Sequence, residues 1–352
     1  MRGTALLLLL CAAASAEEWL LPRGGLENCG VVKNRGPKRE PVLVWKRDEG
    51  EPILTGAALV GGRLIYAVGD TKVACRSAKS GTPVWDKLVK QGVLAWPVVQ
   101  DDLVYFGCQD QVFYRVELGT GGEPASAEAK GAIVATAALT ETHYLAGSLD
   151  GFVYAMGPKN GRVFWSTEIG PVRQAAAVGR AAVYVVNEDG VVHALDLKKG
   201  EILWKHDSGA HAVAAPFLGA ASLYLPVRDA VLALHPMTGV LLKRYETAGI
   251  AGAPALEKSR LHYGTQGGEL VALELAAGKE ERRVRMGDAP ISVPLVLAGK
   301  LLYGASGPVL FAFDCGSGAL AWNFRGEEPF LPPIVADGFL YAGAGNVFYC
   351  LK

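Results

Sequence analysis

Short apolar runs separated by turn residues fill the chain and recur at a nearly fixed spacing. A tyrosine closes such a run at Tyr66, Tyr105, Tyr144, Tyr184, Tyr224, Tyr263, Tyr303 and Tyr341, at intervals of 39, 39, 40, 40, 39, 40 and 38 residues. Each is followed by a turn and another strand-like run, as in GSLDGFVYA from Gly147 and VNEDGVVHALD from Val186. Asp150-Gly151 and Asp189-Gly190 predict tight hairpins with positive φ at both central positions. A second turn then ends in a glycine four residues before a tryptophan: Gly81 and Trp85, Gly161 and Trp165, Gly200 and Trp204, Gly318 and Trp322. No stretch carries a 3.6-residue period, so each unit reads as four short strands.

Four-stranded units of ~40 residues, repeated, predict the blades of a β-propeller. The chain begins its repeats with an unpaired outer strand, VLVWKRDEG (residues 42–50), and ends with NVFYCLK (346–352), just short of its own last strand. Pairing these ends completes an eighth blade and leaves no open sheet edge. The expected fold is therefore all-β: an eight-bladed propeller of four-stranded antiparallel blades over residues 42–352, closed by its N- and C-terminal strands. Such a ring has no edge that forces association, so a monomer is expected.

Composition agrees with this fold and narrows the function. The 44 glycines in 352 residues are about 12%, against a usual ~7%, as many turns require. Equal numbers of basic and acidic residues, 35 each, remove the basic field that nucleic-acid binding needs. Residues 1–16, MRGTALLLLLCAAASA, read as a secretory signal ending in a small-x-small site. No other segment is apolar for long enough to span a bilayer. Residues 17–41 then form a lead-in, and the destination is the periplasm or cell envelope. Leu10 precedes Cys11 where lipoprotein processing wants a small residue, which speaks against lipid attachment there. Cys29, Cys75, Cys108, Cys315 and Cys350 are scattered singly, without Cys-x-x-Cys, and read as buried small hydrophobes with at most two bridges among them.

The pattern Tyr-x-x-x-x-Asp-Gly-x-x-x-Ala-Leu-Asp-x-x-x-Gly-x-x-x-Trp, clearest from Tyr184 to Trp204, resembles the repeat of the PQQ-like β-propellers. RGGLENCG (residues 23–30) is similar to the lead-in of their exported members. The resemblance implies that each tryptophan packs between neighbouring blades over the glycine of a turn. Ser126, Lys243 and Arg282 occupy tryptophan positions in the third, sixth and seventh outer strands, which are expected to pack less well. The family contains quinoprotein dehydrogenases and the outer-membrane assembly factor BamB. The dehydrogenase reading implies a PQQ clamp, a Ca²⁺ site, an adjacent-cysteine disulfide and a much longer chain. This chain has no Cys-Cys pair and no room for large insertions, so no catalytic, cofactor or metal residue is assigned.

Other chemistry has no local support. The six histidines lack metal-ligand spacing; His143 and His262, each directly before a repeat tyrosine, read as ordinary strand positions. GTQGG (264–268) falls in a hairpin slot with no helix after it, and Asp196 and Asp314 read as turn caps. The loops that cross from each outer strand to the next blade vary most: GEPIL from Gly50, GVLAW from Gly92, GAIVA from Gly131, GPVRQ from Gly170, GAHAV from Gly209, GIAGA from Gly249, GDAPI from Gly287 and GEEPF from Gly326. Mostly apolar, they contain Trp96 and Phe330, one arginine (Arg173), one histidine (His211) and the acids Glu51, Asp288, Glu327 and Glu328. That is the composition of a protein-binding patch. BamB-like proteins hold the barrel-assembly protein with a loop of apolar residues and an arginine, and Val172-Arg173 is similar in type. The expectation is a non-enzymatic scaffold whose interaction residues are Val172, Arg173, Trp96, His211 and Phe330, without cofactor, its partner an outer-membrane barrel-assembly component. The alternative is a PQQ- or small-ligand-binding propeller with dehydrogenase or sensor activity.

Overall fold

The computed structural model describes Trp19 and residues 22–123, 125–247 and 249–352. The expected signal segment, with Cys11, lies outside the described residues. The rest forms eight four-stranded antiparallel sheets, one of them extended by a fifth strand, in sequential order around a ring. Blade 1 runs through Ala58–Val60, Arg63–Val68, Lys72–Ser77 and Pro83–Leu88. The innermost strands of blades 2 to 7 begin at Val98, Ala138, Ala177, Phe217, Ala255 and Val296. Blade 8 takes three strands from the C-terminus, and Leu43–Asp48 supplies its outermost strand by pairing with Val347–Leu351, Asp48 opposite Val347 and Trp45 opposite Cys350. Apart from a single 3₁₀ turn, Pro22–Gly24, the described residues contain no helix.

The blades lock through the tryptophans. Trp45, Trp85, Trp165 and Trp204 each donate Nε1–H to a carbonyl in the outer turn of the following blade, at Ala78, Leu118, Leu197 and Pro236, over 2.8 to 3.2 Å. The glycine three residues beyond each carbonyl lies against the indole: Gly81 on Trp45, Gly121 on Trp85, Gly200 on Trp165 and Gly239 on Trp204. Two of the three substituted slots keep this geometry. Lys243 donates to Leu275 O at 3.2 Å beneath Gly278, and the Arg282 guanidinium lies beneath Gly318. In blade 2 the pairing register puts Ala125, not Ser126, at this position, since Ala125 pairs with Arg115 and Arg115 with Tyr105 as Trp85 pairs with Cys75 and Cys75 with Ile65. Ser126 falls one residue beyond, exposed, and the slot at Ala125 loosens. A cavity of about 20 Å³ remains there, and Tyr105 and Arg115 donate to Pro158 O in place of an indole.

Pairing register divides the eight tyrosines. Tyr105, Tyr184, Tyr224, Tyr303 and Tyr341 pair with Val98, Ala177, Phe217, Val296 and Ile334. The corresponding residues of blades 1, 3 and 6 are Ile65, Leu145 and His262, opposite Ala58, Ala138 and Ala255. Tyr66 and Tyr263 therefore come one residue late and Tyr144 one early, and a one-residue shift turns a strand side chain to the other face. Tyr184 and Tyr303 lie 5.9 and 6.0 Å from the tryptophan of their own blade, whereas Tyr66 stacks at 4.2 Å on Phe348 of blade 8.

The lead-in is part of the ring. Leu26, Glu27, Cys29 and Gly30 offer carbonyls to Val178, Leu218, Leu256 and Leu297, on the innermost strands of blades 4 to 7, and Trp19 bridges Leu59 of blade 1. Val31–Val32 then adds a parallel strand to blade 7. The chain thus satisfies the strand edges facing the central channel with its own backbone, and it plugs that channel at the end away from the crossing loops. Arg23 is buried within the plug, donating to Pro254 O, and burial lowers its guanidinium to about 10 even beside Cys29.

Candidate functional site

Each crossing strand begins with a side chain that sinks into the preceding blade. Ile133 lies against Gly107, Val172 against Gly147, Ile291 against Gly264 and Ile53 against Gly343, where glycine leaves the space a Cβ would take. Val172 is fully buried by this packing. Phe330 holds the same station in blade 8, buried on Gly326 and 5.4 Å from Tyr349. Both residues therefore lie beneath the face rather than on it.

Arg173, one residue further, emerges to solvent with its side chain 55% exposed and pairs with the Glu188 carboxylate in the neighbouring hairpin. The backbone carbonyl of Glu188 also meets the exposed His211 Nδ1 at 2.6 Å. Arg173, Glu188 and His211 thus form one polar cluster spanning the crossings into blades 4 and 5. Trp96 stands apart, on the crossing into blade 2. Half-buried, it covers Gly56 with its ring, and its amide donates to Thr136 Oγ1 at 3.1 Å.

Beyond this cluster the channel wall is bare of charge. The six residues that run inward from Ile53, Val93, Ile133, Val172, Ala212, Ile250, Ile291 and Phe330 include one charged side chain, Arg173, and no carboxylate or histidine; Glu51, His211, Asp288, Glu327 and Glu328 come just before them in the crossings. A Ca²⁺ ion takes six to eight oxygen ligands, carboxylates prominent among them. This wall does not fit such an ion.

Gly151 and Gly190 have φ of 93° and 83°, but Asp150 and Asp189 do not adopt positive φ. The hairpins are type I turns closed by one left-handed glycine, with Gly151 N–H donating to Ser148 O, rather than turns with two such residues. Asp150 instead receives the Phe152 amide and the Tyr154 hydroxyl at 2.9 and 2.8 Å. Asp196 and Asp314 each accept two amides of their own turn, and residues 264–268 form the hairpin of blade 6. All five described cysteines are free, Cys75, Cys108 and Cys350 fully buried. His143 and His262 are not equivalent, because His262 aligns with Leu145.

Sequence reasoning missed the ion pair that holds the closure. Glu49, just past the strand that completes blade 8, meets Arg76 of blade 1 at 2.7 Å, and both side chains are 1% exposed. Burial pushes the Glu49 carboxyl up, but hydrogen bonds from Arg76, Tyr66 and Arg47 and the Arg76 charge outweigh it, leaving it at about 2. Arg76 also reaches Asp86 at 2.6 Å. The pair joins residues 27 apart on different blades, so no local motif announces it.

The family model described as "Outer membrane protein assembly factor BamB" matches residues 42–124, 116–250 and 227–349. Among solved structures, the chain is similar to the computationally designed Ika8 protein, with a TM-score of 0.76, 16% identity, and coverage of 89% of this chain and 99% of that one. It is similar to BamB from Moraxella catarrhalis, with a TM-score of 0.73, 14% identity and coverage of 89% and 99%. It is also similar to quinohemoprotein alcohol dehydrogenase from Comamonas testosteroni, with a TM-score of 0.82, 10% identity and coverage of 97% and 81%. At these identities the likeness is one of fold. No curated protein matches.

Proposed function

We propose a binding rather than a catalytic role for this chain, which belongs to the family of the outer membrane protein assembly factor BamB. It acts as an exported scaffold of the periplasm and cell envelope, and its partner is a component of outer-membrane barrel assembly. The observation that carries this reading is the exposed Arg173, the one charge in the apolar stretches that run inward from the crossing turns, held upright by Glu188 beside His211. An arginine so presented offers a planar fork of donors to a carboxylate or backbone carbonyl while its stem lies on apolar surface. Trp96 contributes apolar area elsewhere on the same face; Val172 and Phe330 fix the backbone beneath it. The mechanism is docking on a rigid disc, without a chemical step. Among the described residues no helix is long and apolar enough to cross a membrane.

Affinity capture from detergent-solubilised outer membranes tests the reading. The wild-type chain should retain a barrel-assembly component, and Arg173→Glu should weaken its capture at least about tenfold, roughly 1.4 kcal/mol. Absence of any such component from the wild-type eluate refutes the assembly role. The competing enzymatic reading predicts dye-linked alcohol or sugar oxidation once PQQ and Ca²⁺ are added. The carboxylate-free wall argues against it.

A further inference from the structure

The seam between blades 6 and 7 differs from every other seam in the ring. Where Tyr105, Tyr184 and Tyr303 reach a carbonyl of the next blade or the lead-in, blade 6 has His262. Where five of the blades place a tryptophan, it has Arg282. The facing turn residue, elsewhere Ala78, Leu118, Pro158, Leu197, Pro236 or Leu275, is Cys315. Glu257 ends the inner strand Ala255–Glu257. Three elements thus bring a carboxylate oxygen, an imidazole nitrogen and a thiol sulfur within 4.8 Å of one another.

His262 supplies the second observation. It is 1% exposed, and neither ring nitrogen has a hydrogen-bond partner, the nearest carboxylate oxygen of Glu257 standing 3.7 Å from Nε2. An unsatisfied buried imidazole costs free energy unless something binds its lone pair. Burial lowers its pKa, which favours the neutral ring that can ligate.

We propose that Glu257, His262 and Cys315 bind a borderline-soft divalent transition metal, Zn²⁺ above others, as a clamp between blades 6 and 7. The mixed S, N, O donor set suits Zn²⁺ rather than Ca²⁺ or Mg²⁺. A tetrahedral ion needs its ligands roughly 3.5 Å apart, so the three donors, now within 4.8 Å of one another, draw together on binding. Glu257 and Cys315 are only half-buried, so water can take the fourth position. Thiolate and carboxylate together neutralise the ion, and the adjacent Arg260 is already engaged by Glu281 at 2.5 Å. Burial pushes the Cys315 thiol up to about 12, so binding must displace its proton and tightens as pH rises.

Co²⁺ titration of the full chain tests the clamp. One equivalent should produce a thiolate-to-cobalt charge-transfer band with tetrahedral visible bands, both bleached by Zn²⁺. Cys315→Ser, on a surface turn, should remove the charge-transfer band while leaving the fold intact by circular dichroism. Glu257→Gln should weaken binding by at least the ~10–100-fold that lost second-shell partners already cost. Zn²⁺ should raise the melting temperature of the wild type and not of Cys315→Ser. The proposal is overturned if the wild type shows no stoichiometric band, or if the band survives Cys315→Ser and vanishes with Cys29→Ser.

Discussion

Trp322 donates its indole N–H to the carbonyl of Pro37 at 2.8 Å, joining residues 285 apart in sequence. In the earlier blades the equivalent acceptor belongs to the outer turn of the following blade. Blade 8 has no such turn, since its outer strand comes from the other end of the chain. The lead-in fills the vacancy, and Pro37 O also accepts the Tyr303 hydroxyl at 3.1 Å.

If the lead-in is a full member of the ring, Trp322→Phe and Trp204→Phe should cost the same. Each loses one indole hydrogen bond, buried at Trp322 and part-buried at Trp204, about 1 kcal/mol. Denaturant midpoints of the two variants measure this. A loss in Trp204→Phe without one in Trp322→Phe would mean that the lead-in is not docked.

The empty tryptophan slot of blade 2, at Ala125, gives a prediction about coupling. Arg115 and the Tyr105 hydroxyl reach Pro158 O through space an indole would fill. Ala125→Trp alone should therefore destabilise by about 1–3 kcal/mol through overpacking. In an Arg115→Ala background the same change should be neutral or stabilising. A double-mutant cycle reads the coupling, and additive effects would contradict the proposed competition.

Acid should loosen the closure. The Glu49 carboxyl falls from 4.5 unfolded to about 2 in the fold, so its ionised form favours the folded ring. The stabilisation is complete above about pH 4.5 and is lost as pH falls toward 2. Glu49→Gln should cost about 3 kcal/mol at neutral pH by leaving buried Arg76 short of a partner. Unfolding midpoints of the two proteins should converge as pH approaches 2; a gap independent of pH would assign the loss to packing.

Much of this architecture was legible because blades repeat: turn glycines, tryptophans and the split eighth blade all recur at one period. The parity of the tyrosines was not, since intervals of 39 and 40 differ by one residue and only strand pairing reveals that Tyr66, Tyr144 and Tyr263 face the other way. The channel plug was hidden for another reason. Its contacts to blades 4 to 7 are made mainly by backbone carbonyls, which leave no trace in side-chain pattern. The crossing loops were recognisable as the variable part, yet alternation of burial within them, Val172 inside and Arg173 outside, depends on Gly147 in the preceding blade.

That alternation separates structure from binding at adjacent positions. Val172→Ala empties a fully buried slot and should cost about 2 kcal/mol of stability. Arg173→Ala removes an exposed side chain and one exposed ion pair, so its effect on stability should stay within about 0.5 kcal/mol. Partner capture should respond in the opposite sense: Arg173→Ala weakens it in a chain that melts normally, while Val172→Ala, compared well below its melting temperature, retains it. Equal loss of capture in both would show that loop position rather than the guanidinium governs docking. Retention in both would remove Arg173 from the interface and shift attention to Trp96, whose ring covers Gly56 on the crossing into blade 1.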